Sequence, residues 1–285
     1  MYKGFSRPRR FWRIIYPTLL ILAISVMVVI CYGVAICIIA AINGETSFEV
    51  ILDYMNSQVI NNAMWVQLVT GILSLIVFIP LWLKTRKLYK RYSGGKVEPV
   101  TALLAAGAGV GANILLVVVF TLTDIIRYFP SYEGIAEILH SGSFLVRILT
   151  IAVTAPLLEE ICFRGVTLNR MENMNKWHAI LISSALFGVM HLNLLQGLYA
   201  TVIGIMFGFI FVRFKSIWYP IIAHVAFNLV NVIMTEFEFE FYSIIILLAA
   251  IILFFGCGVL MLRRKYPPDV HGEEDQVIDN RLERL

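Results

Sequence analysis

The chain has 285 residues, of which 59% are hydrophobic and 15% charged, and its mean hydropathy is +0.82. Soluble domains carry about 25% charged residues, so this composition excludes an ordinary soluble globule. The formal net charge of +4 does not mark a nucleic-acid binder, because the basic residues fall in short clusters between apolar runs, where they orient membrane helices.

The apolar runs come in the order Ile14 to Ile42, Val59 to Leu83, Val100 to Leu122, Ser143 to Gly165, His178 to Leu195, Gly197 to Val212, Ile217 to Met234 and Tyr242 to Leu262. Backbone groups in hydrocarbon must be satisfied within a helix or a closed barrel, and uninterrupted apolar runs lack barrel alternation. The predicted fold class is therefore all-α, a polytopic membrane helix bundle of about eight transmembrane helices. The first run follows Lys3, Arg7, Arg9, Arg10 and Arg13, as a signal peptide would, but it far exceeds a signal core and reads as a retained helix.

Lys and Arg gather at alternate connections. They occur before the first run, from Lys84 to Lys96, at Arg170 and Lys176, at Arg213 and Lys215, and from Arg263 to Lys265. The intervening connections carry Glu45, Glu49 and Asp53, then Asp124, Glu133 and Glu137 beside Arg127, then Glu236, Glu238 and Glu240. The positive-inside rule then places both termini in the cytoplasm. The chain divides into a basic cytoplasmic N-terminus (1–13), three helices with their connections (14–142), a core of helices four to seven (143–234), the last helix with its flanks (235–265) and a polar cytoplasmic tail (266–285). Modest size and short connections favour a bacterial plasma membrane.

Cys31, Cys37, Cys162 and Cys257 lie inside apolar runs without Cys-x-x-Cys spacing, so they read as packing residues. Gly107-x-x-x-Gly111 and Gly204-x-x-x-Gly208 read as close helix contacts. No inverted pair of broken helices suggests a transporter.

Polar groups inside spans are costly and usually face a cavity. They concentrate in three helices: Glu159, Glu160 and Arg164 in the fourth, His191 in the fifth, and His224, Asn228 and Asn231 in the seventh. Glu160 and Arg164 stand four apart on one helical face, so they are expected to pair, while Glu159 points about 100° away. Left without a cation in an apolar cavity, Glu159 suits a general base. A hairpin turning near Asn175 brings Glu159 and His191 to one depth, about 24 Å of helix from the turn. His224, only about nine residues from its basic turn, is shallower unless tilt or a buried turn makes up the difference. The remaining His140, His178 and His271 lie in connections or the tail.

The motifs Glu159-Glu160-x-x-x-Arg164, Phe187-x-x-x-His191 and His224-x-x-x-Asn228, in this order on three helices, resemble the signatures of the CPBP family of intramembrane proteases. That family comprises CAAX prenyl endopeptidases and bacteriocin-processing or Abi-type enzymes. The resemblance covers roughly Ser143 to Asn231 and makes 143–234 a catalytic core. It implies peptide hydrolysis in which Glu159 and His191 activate water, Glu160 and Arg164 support the site, and His224 with Asn228 hold the oxyanion. The implied partners are the lipid bilayer and a hydrophobic or lipidated peptide, a prenylated CAAX-type protein or a leader or bacteriocin peptide.

The expectation is that no cofactor is required. Glu159, His191 and His224 could nonetheless form a two-histidine, one-carboxylate zinc site. The His-Glu-x-x-His helix that would favour zinc is absent. The competing reading is a non-enzymatic immunity or scaffold protein whose polar stripe only ties helices together.

Overall fold

The computed structural model describes residues 7–44, 47–89, 92, 95–132, 134, 138, 141–237 and 244–264. Lys3, Glu45, Lys90, Arg91, Glu133, Glu137, His140, Glu238, Glu240, Lys265 and the 266–285 tail with His271 lie outside the described residues. Among the described residues all regular elements are helical. Eight helical stretches follow the apolar runs: α1 (Arg7–Ile42), α2 (Phe48–Leu88), α3 (Pro99–Thr123), α4 (residues 144–171), α5 (Lys176–Val189), α6 (Leu194–Phe214), α7 (Trp218–Glu236) and α8 (Ile244–Arg263). The chain is a multi-pass integral membrane protein with an all-α bundle, and six of its described helices, all but α4 and α5, are long and apolar enough to cross a membrane. The other two differ from plain spans, α4 in its pitch and α5 in its length.

The rod α4 changes pitch along its length. An α-turn at Phe144–Arg147 leads into π-helix at Ile148–Thr154, α-helix at Ala155–Glu160, π-helix at Ile161–Leu168 and a 3₁₀ turn at Asn169–Met171. Pro156 has no N–H to donate, and its ring crowds the carbonyl four residues back, so the wider turns before it absorb a break that an α-helix would carry as a kink.

The helix α5 has 14 residues, about 21 Å of rise, against a hydrocarbon layer of about 30 Å. It ends at Val189 because Leu192 adopts the left-handed region (φ 54°) and Asn193 caps α6, its side-chain oxygen accepting from the Gln196 N–H at 3.1 Å. His178 lies exposed in the first turn of α5 rather than in a connection.

Both glycine pairs serve close packing, as expected. A Cβ on Gly107 or Gly111 would run into Cys257 or Phe254 of α8, and one on Gly208 would press on Ile180 of α5. The tightest crossing involves Gly109: a Cβ there would stand 2.0 Å from the Ala223 carbonyl oxygen of α7. That contact, with α8 on the other side, makes α3 the partner of both α7 and α8. The central α4 contacts α1, α2, α5 and α7.

The two ends of the bundle differ in charge. At one end Arg170 donates to the Arg13 carbonyl, Arg213 to the Leu262 carbonyl, and the Gly95 N–H to the Lys215 carbonyl. At the other, Arg147 pairs with Glu236, Arg127 with Asp124, and Asn193 donates to Ser131. The first will be called the basic end and the second the acidic end.

Candidate active site

The deepest part of the site belongs to α4. Glu160 and Arg164 are both fully buried, and Arg164 Nη1 donates to Glu160 Oε1 at 3.0 Å, the pair expected from their spacing. Arg164 Nη2 donates to the Gly204 carbonyl at 2.7 Å, and its guanidinium lies 4.9 Å from the Phe187 ring centre and 5.7 Å from that of Phe207. Gly204 permits this approach, since a Cβ there would sit 3.1 Å from Nη2 and 3.0 Å from Phe187. Charge-assisted bonds and aromatic faces thus replace the water that a buried guanidinium loses.

From α7, His224 reaches both carboxylates. Its Nδ1 lies 2.9 Å from Glu160 Oε1, and because a carboxylate only accepts, Nδ1 carries the proton. The other nitrogen, Nε2, stands 3.6 Å from Glu159 Oε2. His224 therefore stands between the two adjacent carboxylates, bonded to Glu160 and facing Glu159 across a gap wider than a hydrogen bond. The ring is stacked on Phe207, with centroids 4.6 Å apart. The turn that precedes α7 is buried, with Ser216 and Ile217 each 6% exposed.

His191 lies one residue beyond the C-cap of α5, not within the helix as the sequence suggested. Its Nδ1 lies 2.9 Å from the Phe187 carbonyl, which again forces the proton onto Nδ1 and leaves Nε2 as an acceptor. The Phe187 ring meets both imidazoles edge to face, at 5.0 Å for His191 and 5.8 Å for His224, and spaces them apart.

Asn228 donates its side-chain N–H to the Ile151 carbonyl at 2.8 Å. Ile151 is in the first π segment, where the wider turn leaves carbonyls free of their usual α-helical partners, so this bond ties α7 to the irregular stretch of α4. Of the amide's two N–H groups, one is thereby committed to backbone.

Glu159, His191, His224, Asn228 and Asn231 all line one cavity of about 550 Å³. A further polar residue, Asn113 of α3, lines it too and was not singled out from sequence. It is 1% exposed, and its Oδ1 is buried with no hydrogen-bond partner. The signal was present as an amide at the centre of an apolar run, but attention to ionisable groups passes over it. Tyr132 and Tyr199 share a hydrogen bond and pack on Phe120 at the acidic end of the same cavity.

Among the described residues no three His, Cys, Asp or Glu side chains are grouped closely enough to hold a metal ion. As the side chains stand, Glu159, His191 and His224 do not form such a group, while their bonded Nδ1 atoms leave Nε2 as the available nitrogen of each histidine.

Residues 141–230 match the family described as type II CAAX prenyl endopeptidase Rce1-like. Over 109 residues the chain is 34% identical to a Bacillus subtilis (strain 168) protein named "Putative membrane peptidase YdiL", covering 38% of this chain. The chain spans 44% of the length of that curated relative. No solved structure matches. The match and the relative support the resemblance to CPBP intramembrane proteases, and the matched segment holds all three motifs.

Proposed function

We propose that the protein is an intramembrane endopeptidase that hydrolyses a peptide bond of a membrane-associated substrate in a bacterial plasma membrane. The observation that carries the reading is the gap of 3.6 Å between Glu159 and His224, inside a cavity that also receives the free Nε2 of His191.

In the proposed reaction a water between Glu159 and His191 Nε2 gives a proton to Glu159 as its oxygen bonds to the scissile carbonyl carbon. The carbonyl oxygen becomes an oxyanion, held by the proton on His224 Nε2 and by the uncommitted amide hydrogen of Asn228. Glu159 then passes its proton to the departing nitrogen as the C–N bond breaks. Negative charge moves from Glu159 to the oxyanion, and His224 faces both. Glu160 holds the His224 ring in orientation through Nδ1, and Arg164 holds Glu160.

No step is assigned to a metal. A scaffold role would leave these polar groups paired across helices, whereas His191 Nε2 and Asn113 present unpaired atoms to or beside the cavity.

The test uses purified protein with a prenylated CAAX peptide and a hydrophobic leader peptide, each with and without a strong chelator. Cleavage of either peptide that disappears in Glu159→Gln supports the reading. Undiminished cleavage by the folded Glu159→Gln variant rejects it.

A further inference from the structure

The cavity is placed unevenly along the bundle. Its lining residues fall at 59–67 of α2, 113–120 of α3 and 196–203 of α6, on the side of the acidic end, and at 150–159 of α4, from that side to just past the middle of the helix. It extends to Tyr132 and Ile138 in the connection between α3 and α4, which belongs to that end. Towards the basic end it is stopped by a packed layer: Phe163, Arg164, Val166, Leu168 and Phe207 are all fully buried. At their middles α4 and α7 contribute Glu159, His224 and Asn228, which form the floor.

The charge of the two ends gives this placement a direction. Lys84, Arg86, Lys87, Lys96, Arg170, Lys176, Arg213, Lys215, Arg263 and Arg264 mark the basic end among the described residues. At the acidic end the described basic residues are Arg127 and Arg147, paired with Asp124 and Glu236. Basic connections are retained in the cytoplasm.

We infer that the catalytic cavity opens away from the cytoplasm, and that its substrate is an apolar polypeptide segment presented from the outer leaflet after export. This rests on the endopeptidase reading and narrows its substrate class. A lipidated protein confined to the cytoplasmic face would have to pass the packed layer of Phe163, Arg164 and Phe207 to meet Glu159. An exported, membrane-anchored leader reaches the cavity past Tyr132 without crossing that layer.

The experiment separates the side of access from the chemistry. In a background with Cys31, Cys37, Cys162 and Cys257 replaced by alanine, Gln196→Cys probes the cavity and Arg86→Cys the basic end. A charged, membrane-impermeant maleimide added to intact cells should label Gln196→Cys and spare Arg86→Cys, and inverted membrane vesicles should show the reverse. Labelling of Gln196→Cys only in inverted vesicles, in both preparations or in neither overturns the inference.

In a second arm, the unmodified chain in right-side-out or inverted vesicles receives an apolar peptide with a charged, impermeant tail. Cleavage confined to right-side-out vesicles supports the inference. Cleavage confined to inverted vesicles overturns it and leaves the endopeptidase reading intact. If Gln196→Cys is labelled from outside yet even solubilised protein cleaves nothing, the outward cavity stands and the endopeptidase reading fails.

Discussion

His224 and Glu160 are joined by a bond of 2.9 Å between Nδ1 and Oε1 that fixes the orientation of the imidazole from within the protein core. The same carboxylate oxygen also accepts from Arg164, so one atom orients both side chains.

This arrangement predicts that two adjacent glutamates behave differently. Glu159→Gln should lower kcat by about 10²- to 10⁴-fold, the range for losing a general base, with little change in thermal stability. Glu160→Ala leaves Arg164 buried without its carboxylate and should destabilise the fold by about 3–5 kcal/mol. Thermal unfolding in detergent alongside cleavage rates checks both. Equal loss of stability in the two variants would contradict the division of roles.

Asn113 predicts a change in substrate affinity. Its unpartnered amide oxygen beside the cavity is a candidate acceptor for a substrate backbone N–H, so Asn113→Ala should raise KM by about tenfold, the effect of losing roughly 1.4 kcal/mol of hydrogen bonding. Stability should hold or rise, because an unsatisfied buried group is removed. An unchanged KM with normal kcat would show that Asn113 only packs.

The crossing at Gly109 predicts a structural defect. A Cβ there meets backbone at 2.0 Å, which no side-chain rotation relieves, so Gly109→Ala must push α3 away from α7. The cost should be about 1–3 kcal/mol, typical of overpacking, and cleavage should fall because His224 is the next residue after Ala223. Thermal unfolding and a cleavage assay on the same preparation measure both.

Chelation provides a fourth prediction. Cleavage should continue after exhaustive treatment with a strong chelator, since the reaction as proposed draws only on Glu159, His191, His224 and Asn228. Loss of activity restored by added zinc would replace the proposed water activation with a metal-assisted one.

Much of this was legible before any coordinates because lipid enforces long apolar runs, and polar groups within them stand out. Glu160 with Arg164 followed from their spacing, and Glu159 and His191, matched by a hairpin count, line one cavity. The π segments of α4 were not legible, because Ile148–Thr154 and Ile161–Leu168 read as ordinary apolar helix, and only tertiary packing around Pro156 decides the pitch. The end of α5 at Val189 was missed for a related reason: nothing in Met190-His191-Leu192 breaks apolar continuity, and the turn rests on a left-handed Leu192. Pairing of Arg147 with Glu236, 89 residues apart, depends on which ends meet in space.

The shortness of α5 has a consequence for the surrounding bilayer. Its end carries Val189 and the following Leu192, with Leu194 opening α6, all well exposed, and its rise of about 21 Å falls short of a hydrocarbon layer of about 30 Å. A helix this short favours thinned or tilted lipid beside it, so bilayer thickness is a predicted control on the proposed cleavage. Reconstitution in lipids of increasing acyl length should therefore slow turnover while leaving the fold intact, and short-chain lipids should restore it.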